Sequence, residues 1–303
     1  MTKTGVAAVI GLGSMGRGAA LSLLRAGIKT HAFDIRPDAL ADFAANGGVA
    51  HDSAAGAVKG AEVVFLFVVN ADQVEDVVFG TDGAVAVAGP GTVFVISVTQ
   101  GPASTIAQAR RLADAGMLCL DAPVSGGSAK ALAGEISVMA SGPAAAFDRA
   151  APHLAAIAGR VFPLSDAPGA ASKMKLINQL LAGVHIAATA EAMVLAAASG
   201  LDLHQVLKVI GDCAGASWMF GNRGPHIADG DYTPHSAIDI FVKDLGIVSD
   251  AARDLGASVP MASGARDLFC EAASQGLGRE DDAALAKILA TRAGILLPGM
   301  IQG

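Results

Sequence analysis

Apolar residues along the first half of the chain come in short runs separated by stretches with helical spacing. Val6–Ile10, Thr30–Phe33, Val63–Val69, Val93–Ser97 and Leu118–Leu120 read as strands. Ser14–Ala26, Pro37–Asn46, Ala71–Phe79 and Pro102–Ala115 read as the helices between them. Such βαβ alternation predicts a doubly wound, mostly parallel sheet. Two further runs, Glu135–Ala140 and Arg160–Pro163, extend the same sheet after Gly126-Gly127.

Past about residue 165 the strand signal stops and helical periods take over. Breaks are expected at Gly200, Gly211–Gly215, Gly221–Pro225, Pro234, Pro260 and Gly276–Gly278. Ala170–Ser199 is the most informative stretch. At about 1.5 Å per residue it spans roughly 45 Å. It is small or apolar nearly all round, which predicts burial on every side. The expected architecture is α/β. A Rossmann-type domain (1–165) is joined by a long helix to an all-α substrate and oligomerisation domain (166–303).

Composition sharpens this picture. Hydrophobic residues make up 52% of the 303 and charged residues only 16%, against about 25% charged in an average soluble domain. So little charge implies a large fraction of residues hidden, either inside the fold or between subunits, and a homodimer or homotetramer is expected. The balance of 21 basic against 28 acidic residues leaves a net charge of −7, so there is no basic footprint for nucleic acid. Cys119, Cys213 and Cys270 are odd in number and lack CxxC spacing, which fits buried small hydrophobes in a reducing cytoplasm. The N-terminus does not read as a signal peptide. No run of about 20 continuous apolar residues predicts a membrane span.

Gly11-Leu12-Gly13-Ser14-Met15-Gly16 satisfies GxGxxG. It follows a predicted strand and opens a predicted helix, the context in which the motif cradles a dinucleotide pyrophosphate. The first glycine permits the turn, the second the ligand's approach, and the third helix–strand packing. The helix N-terminus adds unpaired N–H groups and a positive dipole end. Asp34 ends the second strand 18 residues after Gly16. Its carboxylate suits ribose hydroxyls and repels a 2′-phosphate, so NAD is expected over NADP, with Arg36 the residue that argues the other way.

Two segments point to a reacting centre. Asp121-Ala-Pro-Val-Ser125-Gly126-Gly127 follows a strand. Its glycine N–H groups and the Ser125 hydroxyl suit a substrate carboxylate, and an ordinary Gly-rich turn fits the segment equally well. The second runs from Gly169 through Lys173, Lys175, Asn178 and Gln179. At about 100° per residue, Lys175 and Asn178 lie roughly 60° apart on a helix, whereas Lys173 and Asn178 lie about 140° apart. Spacing alone reads Lys175 either as an acid–base group beside an amide or as a snorkelling lysine.

Four segments occur in the order seen in the β-hydroxyacid dehydrogenase family, that of 3-hydroxyisobutyrate dehydrogenase and its relatives. They are Gly-Leu-Gly-Ser-Met-Gly16, Asp121-Ala-Pro-Val-Ser-Gly-Gly127, Lys175-Leu-Ile-Asn-Gln179 and Phe241-Val-Lys-Asp-Leu-Gly246. The chain resembles that family over nearly its whole length. The resemblance implies NAD-dependent oxidation of a small hydroxy acid. It makes Lys175 the catalytic lysine and Asn178 its partner on the substrate, with Ser125, Gly126 and Gly127 the substrate-carboxylate loop. Asn70, Thr99 and Lys243 fall where the family approaches the cofactor. The sequence departs from the family pattern at Val68-Val69-Asn70 (usually Leu-Pro-Asn), at Ile96-Ser97-Val98 and at Ala171 (often Gly).

Other residues read as structural. His153, His185, His226 and His235 have no metal-ligand spacing, and His185 reads as a core or interface residue. Trp218-Met219-Phe220 and Arg223 are expected in a Gly-broken loop able to close over substrate or pack between subunits. Arg279-Glu280-Asp281-Asp282 reads as a solvated helix start. A non-catalytic dinucleotide-binding protein on the same fold would lack Lys175 or the Ser125 loop, and both are present.

Overall fold

The computed structural model describes residues 4–300. The chain divides into two compact units, one ending at Lys175 and the other beginning at Leu176.

The first unit is a mixed sheet with helices on both faces. Its first half contains β1 (Ala7–Ile10), α1 (Ser14–Arg25), β2 (Thr30–Phe33), α2 (Pro37–Ala45), β3 (Val49–Ala50), α3 (Ala54–Val58), β4 (Val63–Leu66) and α4 (Ala71–Phe79). It continues through β5 (Val93–Ile96), α5 (Pro102–Asp114), β6 (Leu118–Asp121), β7 (Val124–Ser125), α6 (Gly127–Ala133), β8 (Ile136–Ser141), α7 (Ala144–Ile157) and β9 (Ala158–Ser165). The strand order is β3-β2-β1-β4-β5-β6-β8-β7, with β9 paired to β8. Pairing is parallel from β3 to β6, whereas β8 runs antiparallel to β6 and β7. The two later strand runs join this sheet as expected.

β4 is shorter than the apolar run Val63–Val69. The Phe67 N–H still reaches the Ile10 carbonyl oxygen at 2.8 Å, but the register with both β1 and β5 ends at Leu66. Two apolar layers cover the sheet. One includes Val9, Leu23, Phe43, Phe65 and Leu120, and the other includes Ile10, Leu66, Phe94, Ile96 and Leu112.

α8 (Ala170–Ala198) is the long helix, with 29 residues. It is long and apolar enough to cross a bilayer by length and composition, and half of its most apolar stretch is buried inside the protein. Burial on every side is not reached within the single chain. Met174, Ile177, Leu181 and Leu195 are exposed, because the single chain covers only part of the helix circumference.

The second unit continues with α9 (Leu203–Gly211), α10 (Trp218–Asp229), α11 (Ile238–Asp254), α12 (Pro260–Ala272) and α13 (Leu285–Ala293) around Ile186, Met193, Phe241, Leu245 and Phe269. The break expected at Gly221–Pro225 does not occur, and Trp218, Met219, Phe220 and Arg223 lie on a continuous helix rather than a loop. Packing overrides the local signal here. A Cβ at Gly224 would run into the Leu207 side chain, so the glycine lets α10 close on α9.

The run 279–282 is not a solvated helix start either. Asp281 and Asp282 are fully buried, with Arg223 paired to both. Cys119 is buried as expected, but Cys213 is exposed in the segment after α9.

Candidate active site

The parallel strands end in register. Phe33, Ile10, Leu66, Ile96 and Asp121 form one row across β2, β1, β4, β5 and β6. Gly11, Asp34, Asn70, Thr99 and Ser125 each lie within four residues beyond that row, so the sheet brings them to one carboxyl edge. Doubly wound sheets bind ligands along this edge, where strand order reverses. That reversal falls at β1, between β2 and β4.

The glycines of the first loop differ in what they accommodate. Gly11 has φ +92°, and a Cβ there would sit 2.6 Å from the Phe67 carbonyl oxygen. A Cβ on Gly16 would overlap the Gly11 carbonyl oxygen. Both are therefore needed by the protein itself. A Cβ on Gly13 would meet nothing within 4 Å, leaving that stretch of backbone open at the start of α1. Leu12 is buried, Met15 half-buried, and Ser14 exposed as the first residue of α1. This open backbone at a helix N-terminus, followed by an acidic residue after β2, fits a dinucleotide.

Asp34 ties the loop to β2. Its carboxylate accepts the Leu12 N–H at 2.6 Å and the Arg36 N–H at 2.8 Å. The Arg36 guanidinium donates to the same carboxylate and, at 3.0 Å, to the Leu12 carbonyl oxygen. Burial works against the Asp34 charge, but these donors outweigh it and hold the carboxyl below its ordinary range. Asn70 caps α4, its side-chain oxygen accepting the Gln73 N–H at 2.9 Å, while the Gln73 side chain accepts the Val69 N–H. Thr99 is half-buried between β5 and α5.

The Asp121–Gly127 segment and the start of α8 are built together. Asp121, fully buried, accepts the N–H groups of Gly169 and Ser172 at 2.8 and 2.9 Å, and the hydroxyls of Ser172 and Ser141 at 2.7 and 3.1 Å. The Ser141 hydroxyl in turn accepts the Ala171 N–H at 3.0 Å. Orphan donors at the start of α8 are thus satisfied by side chains from the sheet. Burial pushes the Asp121 carboxyl up from its ordinary value against these four donors.

One turn further on, buried Lys175 donates from Nζ to the Val124 carbonyl oxygen at 2.8 Å, whereas Lys173 is exposed. The residues after Val124 are Ser125, Gly126 and Gly127, the two glycines at φ +127° and +77°. Sequence reasoning missed Asp121 as the anchor. The available signal was an acidic residue closing an apolar strand.

In the second unit, Asn178 donates to the Gln179 side-chain oxygen at 2.8 Å, and Gln179 donates to the Asp244 carboxylate. Lys243 lies with Nζ 2.7 Å from the other Asp244 oxygen, close enough for an ion pair though not aligned as a hydrogen bond. Gln179 and Asp244, both buried, lie within two of the four ordered motifs. Among the described residues no group of three or more His, Cys, Asp or Glu side chains is placed to hold a metal ion.

Residues 6–165 match the NAD-binding domain family of 6-phosphogluconate dehydrogenase. Residues 169–289 match the NAD-binding family of NADP-dependent 3-hydroxyisobutyrate dehydrogenase. The chain is 53% identical to an L-threonate dehydrogenase of Cupriavidus necator, over 97% of this chain and 98% of that one. It is 49% identical to an L-threonate dehydrogenase of Escherichia coli K12, over 96% of each. A crystal structure described as 3-hydroxyisobutyrate dehydrogenase from Salmonella typhimurium superposes with a TM-score of 0.89 at 48% identity, covering 93% of this chain and 99% of that one. Family models matching nearly the whole chain and relatives about half identical over that length show that the chain belongs to the β-hydroxyacid dehydrogenase family and is an NAD-binding hydroxyacid dehydrogenase.

Proposed function

We propose that the protein oxidises L-threonate at C2 to 2-oxo-tetronate, with NAD preferred over NADP. The observation that carries the reading is the buried Lys175, held on the Val124 carbonyl beside Ser125-Gly126-Gly127. Identity of about half over nearly full length to proteins named L-threonate dehydrogenase supports the choice of acid.

Gly11 to Gly16 hold the pyrophosphate, and Asp34 receives the ribose hydroxyls. Resemblance to the family gives Asn70, Thr99 and Lys243 roles toward the cofactor's other half. A bound NAD would supply the hydride acceptor for oxidation at C2, and NADH the hydride donor for the reverse direction. Ser125 and the Gly126 and Gly127 N–H groups bind the substrate carboxylate. Asn178, three residues after Lys175 on α8, orients the C2 hydroxyl. Neutral Lys175 accepts that hydroxyl's proton at Nζ during oxidation, and protonated Lys175 gives it back to the carbonyl oxygen in reduction. Asp34, kept ionised by its donors, disfavours a 2′-phosphate.

In the same reading residues 1–165 carry the dinucleotide, and residues 166–303 carry the substrate side and the oligomer contacts. The exposed Met174, Ile177, Leu181 and Leu195 support a homodimer or homotetramer, and the enzyme works in the cytoplasm.

The test is initial NADH formation from NAD with L-threonate, D-threonate, D-glycerate and 3-hydroxyisobutyrate. Turnover is expected with L-threonate above the others. Preference for 3-hydroxyisobutyrate, or for tartronate semialdehyde in the reductive direction, would replace the substrate and keep the mechanism. Inactivity on every acid with NADH still bound would favour a dinucleotide-binding protein without catalysis.

A further inference from the structure

A carboxylate has only acceptors, and that constraint propagates through the second unit. Asp244, on α11, is 1% exposed and presents one oxygen to the Gln179 side chain on α8. Gln179 must therefore turn its NH2 group toward Asp244 and its oxygen away. That oxygen faces Asn178, which must then present its own NH2 to it, at 2.8 Å. Two amides that could each flip are thereby set in one orientation by a single buried charge. The other Asp244 oxygen faces the Lys243 ammonium at 2.7 Å.

We infer that Asp244 is a positioning residue that sets the direction of the Asn178 carboxamide through Gln179 while it holds Lys243. This inference rests on the proposed roles of Asn178 and Lys243. Asp244 itself need not touch substrate or cofactor. Its effect is to commit one N–H of Asn178 to the relay, leaving the other N–H and the oxygen to meet the substrate in a fixed sense. Gln179 is 7% exposed, so water has little access with which to reset the pair.

The relay separates two effects that ordinary destabilisation would mix. Gln179→Leu cuts the branch to Asn178 and leaves the Asp244–Lys243 contact. Its expected effect is a rise in KM for the hydroxy acid of about tenfold, the scale of one lost hydrogen bond to a charged group, with KM for NAD unchanged. Asp244→Asn removes the charge that orders both branches, so KM for acid and for NAD both rise. The double variant should be no worse toward the acid than Asp244→Asn alone. Unchanged KM for the acid in Gln179→Leu, or fully multiplicative effects in the double variant, would overturn the inference. If Asp244→Asn does not fold, the KM split in Gln179→Leu decides.

A second readout stands apart from turnover. In the wild-type protein the Gln179 side-chain amide protons and the one Asn178 proton donated to Gln179, assigned by loss of their signals in Asn178→Asp and Gln179→Leu, should exchange slowly with solvent. That Asn178 proton should lose its protection in Gln179→Leu. Equal protection in both proteins would reject the relay, even if none of the tested acids is a substrate and the proposed reaction is wrong.

Discussion

Asp121 accepts both the backbone N–H and the hydroxyl of Ser172, at 2.9 and 2.7 Å, so the last residue of β6 grips the first turn of α8. The same grip takes in the Gly169 N–H, and the Ser172 hydroxyl reaches on to Thr105 at 2.9 Å. Lys175 follows Ser172 by three residues and returns to the same segment at Val124. The position of the lysine is thus set by two attachments to one stretch of chain.

Replacing Asp121 by Ala should therefore reduce both stability and turnover. Buried donors left without an acceptor cost about 1–3 kcal/mol each. A loss on the order of 3 kcal/mol is expected in urea unfolding, with kcat falling alongside it. Wild-type kcat in a folded Asp121→Ala protein would show that the anchor does not position Lys175.

Lys175→Ala should separate chemistry from cofactor binding. Loss of a positioned acid–base group lowers turnover by about 10²–10⁴-fold. NADH affinity, read from nicotinamide fluorescence, should stay close to wild type. An equal loss of NADH binding would contradict the division of roles.

The glycine loop makes a contrasting pair. Gly13→Ala places its methyl in open space and should leave the unfolding midpoint near wild type while weakening NAD binding. Gly11→Ala meets both an unfavourable φ of +92° and the Phe67 carbonyl, so it should lower the unfolding midpoint itself. Thermal unfolding and NAD titration of the two variants would show the reversal. Wild-type NAD affinity in Gly13→Ala would mean that the open backbone is not the phosphate site.

The buried Arg223 cluster should respond to pH. Burial pushes the Asp282 carboxyl up to about 6, even with the Arg223 guanidinium beside it. Burial also works against the Arg223 charge, yet Asp282 and Asp281 hold it above its ordinary range. The two partners differ because Asp282 lies deeper and shares its surroundings with a second carboxylate. With its folded-state value above the unfolded one, Asp282 contributes stability that is fully present below about pH 4 and lost as pH rises through about 6. Arg223→Met leaves both carboxylates without their guanidinium and should cost about 3 kcal/mol at pH 7. Part of that loss should return at pH 5. A pH-independent loss would mean that packing, not charge, accounts for the effect.

Much of the nucleotide half was legible in the sequence. Strands buried on both faces leave apolar runs, and a phosphate loop needs glycines at set intervals, so β1, α1 and Asp34 could be placed from local pattern. Helical spacing also chose Lys175 over Lys173, and the structure leaves the first buried and the second exposed. Local pattern misled where packing outweighed it. Gly221, Gly224 and Pro225 read as a break, yet α10 runs through them because Gly224 permits close approach to Leu207.

What the sequence determined by itself was therefore the βαβ order, the glycine-rich loop between β1 and α1, and the family to which its four motifs belong. Only the tertiary structure decided that Asp121 anchors the start of α8, that Asp281 and Asp282 lie buried on Arg223, and that Asp244 reaches Asn178 through Gln179. A local pattern records what a residue does for its own helix or strand. A buried charge is specified instead by donors that are distant in sequence, 51 residues away for Asp121 and Ser172, 59 for Arg223 and Asp282, and 65 for Gln179 and Asp244. Those partners meet only when the chain has folded, and desolvation then makes each of them necessary.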